Sequence, residues 1–541
     1  MNHPESATFT ANGSLGPIAN VLSRVTGGGA SSIDGLLRST IPDANLFFIN
    51  PHGVFLGPNA KLDVPGSFHV STADYLRLGD GVRFEVDPSG NDALLTTAPP
   101  ATFGFLSDKP AGISVQGSAL ELKEGETLSF VGGDFDFVGT GLDSEGQPTS
   151  FLFAPGGRIN LASVASSGEV SLGPTGLGMH GFTQLGQITL SHNGFIATDG
   201  PGGGRIFIRG GRLVADSAFI SANTLGDRDG EGIDINIAGE LKLDNDARIR
   251  AVTDDQGSAG DIIIKAGKLA HNGVRISAST FGPGRGGDVQ VEAADILLSA
   301  DGSEFFTGIT AQAISRSTGA AGNVTVKADK LVVRNGAEIS AFTHGAGHGG
   351  DVRIEASDML LSGDGSEFFT GIGAEGGPGK AGNITVKAGK LAVRNGAQIF
   401  SGTEGKRRGG DVRMEAADIL LSGDGAKEIR SPDTDVSAGL LALPAHFVDA
   451  AAVLMKPCAE RYAADAIRLI VRKYEVLPDS PYALRVYLPS TGSDPAMSSV
   501  CLTCPATAGP MVPSVLLAPR GKDLGGAASR SQESAPSRGP G

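Results

Sequence analysis

Tryptophan is absent from the 541 residues, tyrosine occurs five times and cysteine three times. The cysteines are Cys458, Cys501 and Cys504, all near the C-terminal end, so the body of the chain has neither disulfides nor thiolate metal sites. Cys501-Leu502-Thr503-Cys504 is a lone pair with no second pair and no close histidine. It reads as an incidental pair or a local disulfide rather than half of a zinc site. No uninterrupted apolar run approaches the ~18 to 20 residues that span a bilayer as a helix. Excess basic charge is lacking too. The formal net charge of −15 leaves no stripe that could neutralise phosphates, which excludes nucleic acid as the natural partner. The start, Met1-Asn2-His3-Pro4-Glu5, has neither a basic nor an apolar leader segment and taken alone reads as cytoplasmic.

Glycine is abundant instead, at 81 residues, with no three-residue period that would indicate collagen. Between the glycines stand short runs of Val, Ile, Leu and Ala, a composition suited to many tight corners between short strands. Six segments begin at Asp261, Asp288, Asn323, Asp351, Asn383 and Asp411, each after Ala-Gly or Gly-Gly. Earlier openings of similar form are at Arg158, Gln187, Arg205 and Asp234. Most start-to-start distances are 27 to 29 residues, with two longer (35 and 32) and one short, 18 from Gln187 to Arg205. Within a unit the apolar period is two: Val324, Val326 and Ala328 point one way, Thr325 and Lys327 the other. A second strand is predicted over 330–334, a corner at Asn335-Gly336, and a third strand over 337–341. Three strands and three corners per unit describe one coil of a right-handed parallel β-helix, an all-β fold. The absence of any helix-period stretch excludes leucine-rich and helical repeats.

Charge alternates along the repeat at two offsets. Four residues past each start stand Lys265, Glu292, Lys327, Glu355, Lys387 and Glu415; seven past stand Lys268, Asp295, Lys330, Asp358, Lys390 and Asp418. Coils stacked in register would turn both columns into ladders of opposite charges about 4.8 Å apart. A Gly-rich strand is prone to slip or to pair with another chain. The alternation makes the next coil attractive and a shift by one whole coil repulsive, so the ladders are expected to specify register, while the aliphatic columns supply stability.

The two long spacings share the insert Asp-Gly-Ser-Glu-Phe-Phe-Thr-Gly-Ile, at 301–309 and 364–372. It reads as a lengthened corner whose Phe pair covers a neighbouring coil, and it lacks the ligand count of a dedicated calcium loop. The pattern stops near Ala426. A short closing segment of mixed structure is expected over 426–490, with 449–455 helical, because the last coil would otherwise expose its interior. Residues 491–541, rich in Pro, Ser, Gly and Ala, are expected to form a disordered tail.

A β-helix can also be a polysaccharide lyase or hydrolase, whose sites need converging carboxylates or a Lys/Arg cluster. Here the exterior acids alternate with lysines, and the nine histidines are scattered. His344 and His348 fall in a Gly-rich corner and read as solvated. No phosphate-binding loop is present, and nothing calls for a cofactor. A non-catalytic protein is the expectation, with a β-helical carbohydrate-active enzyme as the rival reading.

The most specific stretch is IPDANLFFINPHGVFLGPNAKLDVPGSFHVSTADYLRL, residues 41–78. It reads as short strands over 45–49 and 54–56, separated by turns at Asn50-Pro51-His52-Gly53 and Gly57-Pro58-Asn59. This stretch resembles the secretion domain of the filamentous haemagglutinin family, the exported partner in two-partner secretion. Residues 20–28 and 32–35 fit the same family, as do Cys458-Ala459-Glu460-Arg461 and Leu477-Pro478-Asp479-Ser480-Pro481 near the other end. Asn50, Pro51, His52, Gly53, Asn59, Asp63 and Gly66 match the secretion motif, with histidine at the third position of its N-P-N-G turn. Turn chemistry alone also accounts for these residue types.

The resemblance implies a partial secretion domain over 1–106, β-helix repeats over 107–425, and an outer-membrane β-barrel transporter as partner. It also implies an adhesin-like protein, secreted or at the cell surface, that contacts a surface carbohydrate or protein receptor. Family members carry a signal peptide and capping strands ahead of the segment that matches 5–10, so the resemblance implies a truncated gene model, an internal start or a decayed copy, and the chain as written is not expected to reach the export machinery.

Overall fold

The computed structural model describes residues 1–422 apart from 12, 14–16, 88–94, 175, 304–306, 315–316, 364–368 and 404–408, together with the strands Lys427–Arg430 and Leu469–Ile470. The rest of the closing segment and tail, with all three cysteines and the helix expected over 449–455, lies outside the described residues. So do parts of both inserts, including Phe305, Phe306 and Phe368.

Among the described residues there are strands and turns but no helix. Nearly all the strands pair in parallel, mostly within a 19-stranded and a 12-stranded sheet that share one interior. The repeat shows how the sequence produces this. Val324–Arg334 pairs on one side with Val289–Ser299 and on the other with Val352–Ser362, both parallel and in register. Ala337–Ser340 belongs to the second sheet and stacks between Thr307–Thr310 and Gly371–Gly373. A third column is made of single bridges, Thr253 to Thr280 to Ala313 to Thr343 to Gly376 to Thr403. Each coil therefore has three faces, and the architecture is a parallel β-helix.

The first two strands expected in each coil are in fact one. Val324–Arg334 runs unbroken, and the ladder merely skips a pair at Asp329. Burial changes phase there: Val324 and Val326 are buried before the bend, Leu331 and Val333 after it. A small residue and one exposed neighbour suffice to turn the chain without a loop.

The openings also need sorting by face. Arg158 stacks on Arg205, and Arg205–Gly210 on Gly232–Asp244, whereas Gln187 stacks on Arg212. The 18-residue spacing from Gln187 to Arg205 therefore separates two faces rather than two coils. A glycine followed by an inward apolar pair marks a strand start on any face.

The glycines before each opening have a steric cause. A Cβ built on Gly322 would lie 1.9 Å from the carbonyl oxygen of Gly287, one on Gly350 1.7 Å from that of Gly322, and one on Gly382 1.9 Å from that of Gly350. Gly287 and Gly410 meet the carbonyls of Gly260 and Gly382 in the same way, so at this corner of the repeat only hydrogen fits. The residue that follows joins the coils through its side chain. The N–H of Asp288 donates to Asp261 Oδ1 (2.8 Å), that of Asn323 to Asp288 Oδ1 (2.9 Å) and that of Asp351 to Asn323 Oδ1 (3.0 Å). Asn383 and Asp411 continue the series at 2.7 and 3.0 Å. Asparagine between aspartates keeps the acceptor while removing a charge.

The N-terminal coils carry an additional layer that the repeat pattern does not predict. Tyr75–Leu78, Arg83–Glu85, Pro100–Phe105, Gly168–Gly173 and Gly176–His180 form an antiparallel sheet outside the coils. It covers an exterior face and closes a second core, with Phe47, Ile49, Leu76, Phe103, Phe105, Val131 and Phe207 among its members. Polar ties hold it: the Tyr75 hydroxyl donates to Glu169 (2.7 Å), Arg77 pairs with the same carboxylate (2.6 Å), and Arg83 lies 4.0 Å over the Tyr75 ring.

Candidate functional site

Asn50 sits at the end of strand Asn45–Ile49 and is fully buried. Its amide donates to the carbonyl of Gly29 (3.0 Å) and to Ser31 Oγ (2.9 Å), while its Oδ1 accepts the N–H of His52 (3.0 Å). One side chain thus closes the turn and ties it to the preceding coil. Gly53 follows at φ 110°, a conformation that favours glycine, and its carbonyl accepts the N–H of Ser31 (2.9 Å). Pro51 and His52 form the outer part of the turn, with His52 exposed.

Asn59 caps the next turn: its backbone N–H and its side-chain amide both donate to Asp34, at 2.8 and 3.1 Å. Those bonds hold the Asp34 carboxyl below its usual range. Asp63 pairs with Arg38 at 3.0 Å on the neighbouring coil, both about half exposed. Gly66 is buried where a Cβ would lie 2.8 Å from the Ala44 carbonyl. The seven motif residues thus occupy successive turns and one strand, and they are not gathered into a cleft. The motif residues alone do not point to Asp34; its cue is an aspartate 25 residues, about one coil, before a turn asparagine.

The two charged columns lie on adjoining faces, on either side of the bend in the long strands. Lys265, Glu292, Lys327, Glu355, Lys387 and Glu415 are successive register partners, as are Lys268, Asp295, Lys330, Asp358, Lys390 and Asp418. Among the rungs of the first column, Lys265–Glu292 closes to 3.3 Å. Glu355 and Glu415 instead pair with Arg353 and Arg413 of their own strands, each at 2.6 Å. The second column extends backwards: Lys268 pairs with Glu240 (3.1 Å) and Glu240 with Arg212 (3.0 Å). Periodicity alone could not show this, because a register shift before Glu240 displaces it by one residue.

Between the columns runs a trough of about 1280 Å³ floored by Ala266, Ala293, Ala328, Ala356, Ala388 and Ala416. It crosses seven coils, roughly 29 Å at the usual interstrand spacing. Lysines and glutamates alternate along its wall, and it holds neither aromatic rings nor histidines. Arg353, and behind it Lys327 and Lys387, hold the Glu355 carboxyl below its ordinary range. A general acid requires the reverse shift.

Glu338 does show that shift, to about 7, through burial, with the charge of Glu375 adding to it. It is only 1% exposed, is hydrogen-bonded to Ser340 and to Gln312, and stacks between Gly308 and Gly371. It is sealed from substrate, and its cue in the sequence is the glycine above and below it. His344 and His348 are exposed, as expected for a Gly-rich corner. Phe369, from the second insert, packs edge-on against Phe400 of the next coil (5.2 Å).

Comparison with known proteins bears on the first part of the chain. Residues 1–197 match the family model described as the TPS secretion domain. Among solved structures, the HMW1 secretion domain from Haemophilus influenzae aligns at 16% identity over 79% of this chain and 88% of that one, with a TM-score of 0.33. No curated protein matches the chain. Residues 1–197 are therefore a secretion domain of the kind that marks the exported, filamentous-haemagglutinin-like partner in two-partner secretion.

Proposed function

We propose that this protein is an adhesive, non-catalytic surface protein exported by two-partner secretion, with the repeat stack as the part presented outside the cell. The observation that carries the reading is the secretion domain at residues 1–197, which implies an outer-membrane transporter as partner and an extracellular destination. The motif from Asn50 to Gly66 would serve export through its turns: Asn50 and Gly53 shape the loop and leave Pro51 and His52 accessible to the transporter. The charged columns would keep the coils in register. The stack offers a long solvent-facing trough of mixed charge, suited to a surface carbohydrate or protein receptor.

The trough chemistry supports a non-catalytic role. Neighbouring carboxylates on its wall are separated by a lysine, so Glu292 and Glu355 stand two coils, about 9.6 Å, apart with Lys327 between them. Cleavage of a glycosidic bond by paired carboxylates wants two acids facing one bond with different proton affinities. The test is to immobilise the purified full chain, measure adherence to cells and to surface glycans, and assay the same preparation for released reducing or unsaturated sugars. Adherence without turnover is expected. Sustained sugar release would replace this reading with the enzymatic one, and absence of both would remove the adhesive role.

A further inference from the structure

The second half of each long strand presents an outward column that neither the trough nor the cores use. Ala270, Leu297, Val332, Leu360, Ala392 and Leu420 are successive register partners. Their neighbours Leu269, Ile296, Leu331, Met359 and Leu391 point inward and are buried. The six themselves are half-buried, or exposed at Leu420, and belong to neither hydrophobic core. One coil earlier the column holds Lys242, so the apolar stripe starts at Ala270 and among the described residues runs to Leu420. Along its side runs the second charged column, two residues away on the same face. A contiguous apolar stripe rimmed by charges on a flat sheet face marks an interaction surface.

We propose that this face binds a second copy of the chain, with the two stacks antiparallel about a two-fold axis that lies along the strands. The pattern itself selects this partner. A two-fold axis of this kind sets each column against its own reversed counterpart, because the contact is isologous. The stripe then sets large against small in its outer pairs, where Ala270 meets the partner's Leu420 and Leu297 meets the partner's Ala392, and at its centre Val332 meets the partner's Leu360. Over the same six coils the charged column is inverted by the same operation, since these rungs are even in number, begin with Lys268 and end with Asp418. Lys268 faces the partner's Asp418, Asp295 the partner's Lys390, and Lys330 the partner's Asp358. A two-fold axis along the stack does worse. It brings Lys330 and Lys390 beside the partner's Arg334 and Arg394, and sets leucine on leucine and alanine on alanine.

The face measures roughly 24 by 17 Å at standard strand dimensions. That is about 400 Å² per copy, at the low end for specific association, so the dimer is weak, with a dissociation constant in the micromolar range or above. The charges orient the contact more than they strengthen it.

The test is sedimentation velocity on the full chain in low salt, up to about 0.5 mM, a concentration that populates an interface of this size. Concentration-dependent dimer is expected, and Val332→Lys should abolish it. Lys330→Asp and Asp358→Lys carry the decisive arm. Each alone faces like charge across the two-fold and should dimerise at least tenfold more weakly, while an equimolar mixture should recover a heterodimer of near wild-type affinity. Both substitutions are on exposed side chains, and matching melting temperatures exclude misfolding as the cause. A wild-type chain that stays monomeric throughout, a Val332→Lys chain that still dimerises, or a mixture that fails to recover would each overturn the proposal.

Discussion

In the N-terminal coils the interior is filled by large, unlike side chains: Phe68, Phe130 and Phe137 are fully or almost fully buried, and Phe130 meets Phe135 at 5.2 Å. From Asp261 to Ser422 the interior is repetitive, with Ile264, Val291, Val326, Ile354 and Val386 in one column. The first arrangement specifies register by shape, since a slipped coil would not fit its neighbours. The second fits nearly as well after a slip of one coil. There the Asp/Asn bonds run in an unbroken series from Asp261 to Asp411 and the outward charges alternate, whereas the N-terminal coils make such bonds singly, as from the Asn59 N–H to Asp34 and the Gln187 N–H to Asp134. The N-terminal coils also carry an outer antiparallel sheet, while among the described residues no such sheet covers the repeat.

Replacing an aromatic core residue should give the largest contrast. Phe130→Ala should cost about 3–5 kcal/mol in urea unfolding of the full chain, and Ile354→Ala in the repeat about 2–4 kcal/mol, because surrounding small residues can close part of the smaller cavity. Equal losses would mean that the two interiors are equally rigid. Glycines make the next contrast. Gly350→Ala forces a Cβ against a backbone carbonyl 1.7 Å away and should cost about 2–3 kcal/mol. Gly28→Ala, with no atom within 4 Å of the new Cβ, should change stability by less than about 0.5 kcal/mol.

The two regions also bury histidines in different ways. His69 accepts or shares a hydrogen bond with Ser129 (2.8 Å) and stacks on Phe47 (4.3 Å), whereas His271 lies in a column between Leu243 and Leu298. Burial pushes both down, His69 to about 3 and His271 to about 4. A depressed histidine is neutral in the fold and charged in the unfolded chain below its ordinary range. Its contribution is therefore present above pH 6.5 and is lost as pH falls towards the folded value. His271→Leu should remove about 2 kcal/mol of the stability lost between pH 8 and pH 5, as read from urea midpoints at the two pH values. His69→Leu should also remove acid sensitivity, but it should destabilise at pH 8 because Ser129 and the ring stack lose their partner.

The repeat was legible in the sequence because its signals are local: apolar period, glycine corners and charge at constant offsets. The face to which Gln187 belongs was not, because the same opening pattern starts any strand. The strand bend at Asp329 is hidden for a similar reason, since a phase change in burial leaves the composition unchanged. The outer sheet joins Tyr75 and Arg77 to Glu169 across more than 90 residues, a pairing no periodicity announces. At the secretion motif, residue types and turn positions were readable, but Asn50's bonds to Gly29 and Ser31 depend on which coil lies next to it.

The smallest effect tests what the charges do. Glu355→Lys puts a cation between Lys327 and Lys387, so that three like charges follow one another along the column, and it also removes the pairing with Arg353. Exposed pairs are weak, so the loss should be only about 0.5–1 kcal/mol, most of it screened away in 1 M salt. In the N-terminal coils Asp63→Lys, which breaks the pair with Arg38, should cost no more than that and leave register unchanged. The informative measurement is hydrogen exchange along the repeat. If charge specifies register, Glu355→Lys should raise exchange in the strands on both sides of the substitution more than its effect on the urea midpoint accounts for. If exchange rises only in proportion to the lost stability, the Asp/Asn bonds at the coil openings already hold register without help. The two columns would then face outward for the sake of solubility and partners alone.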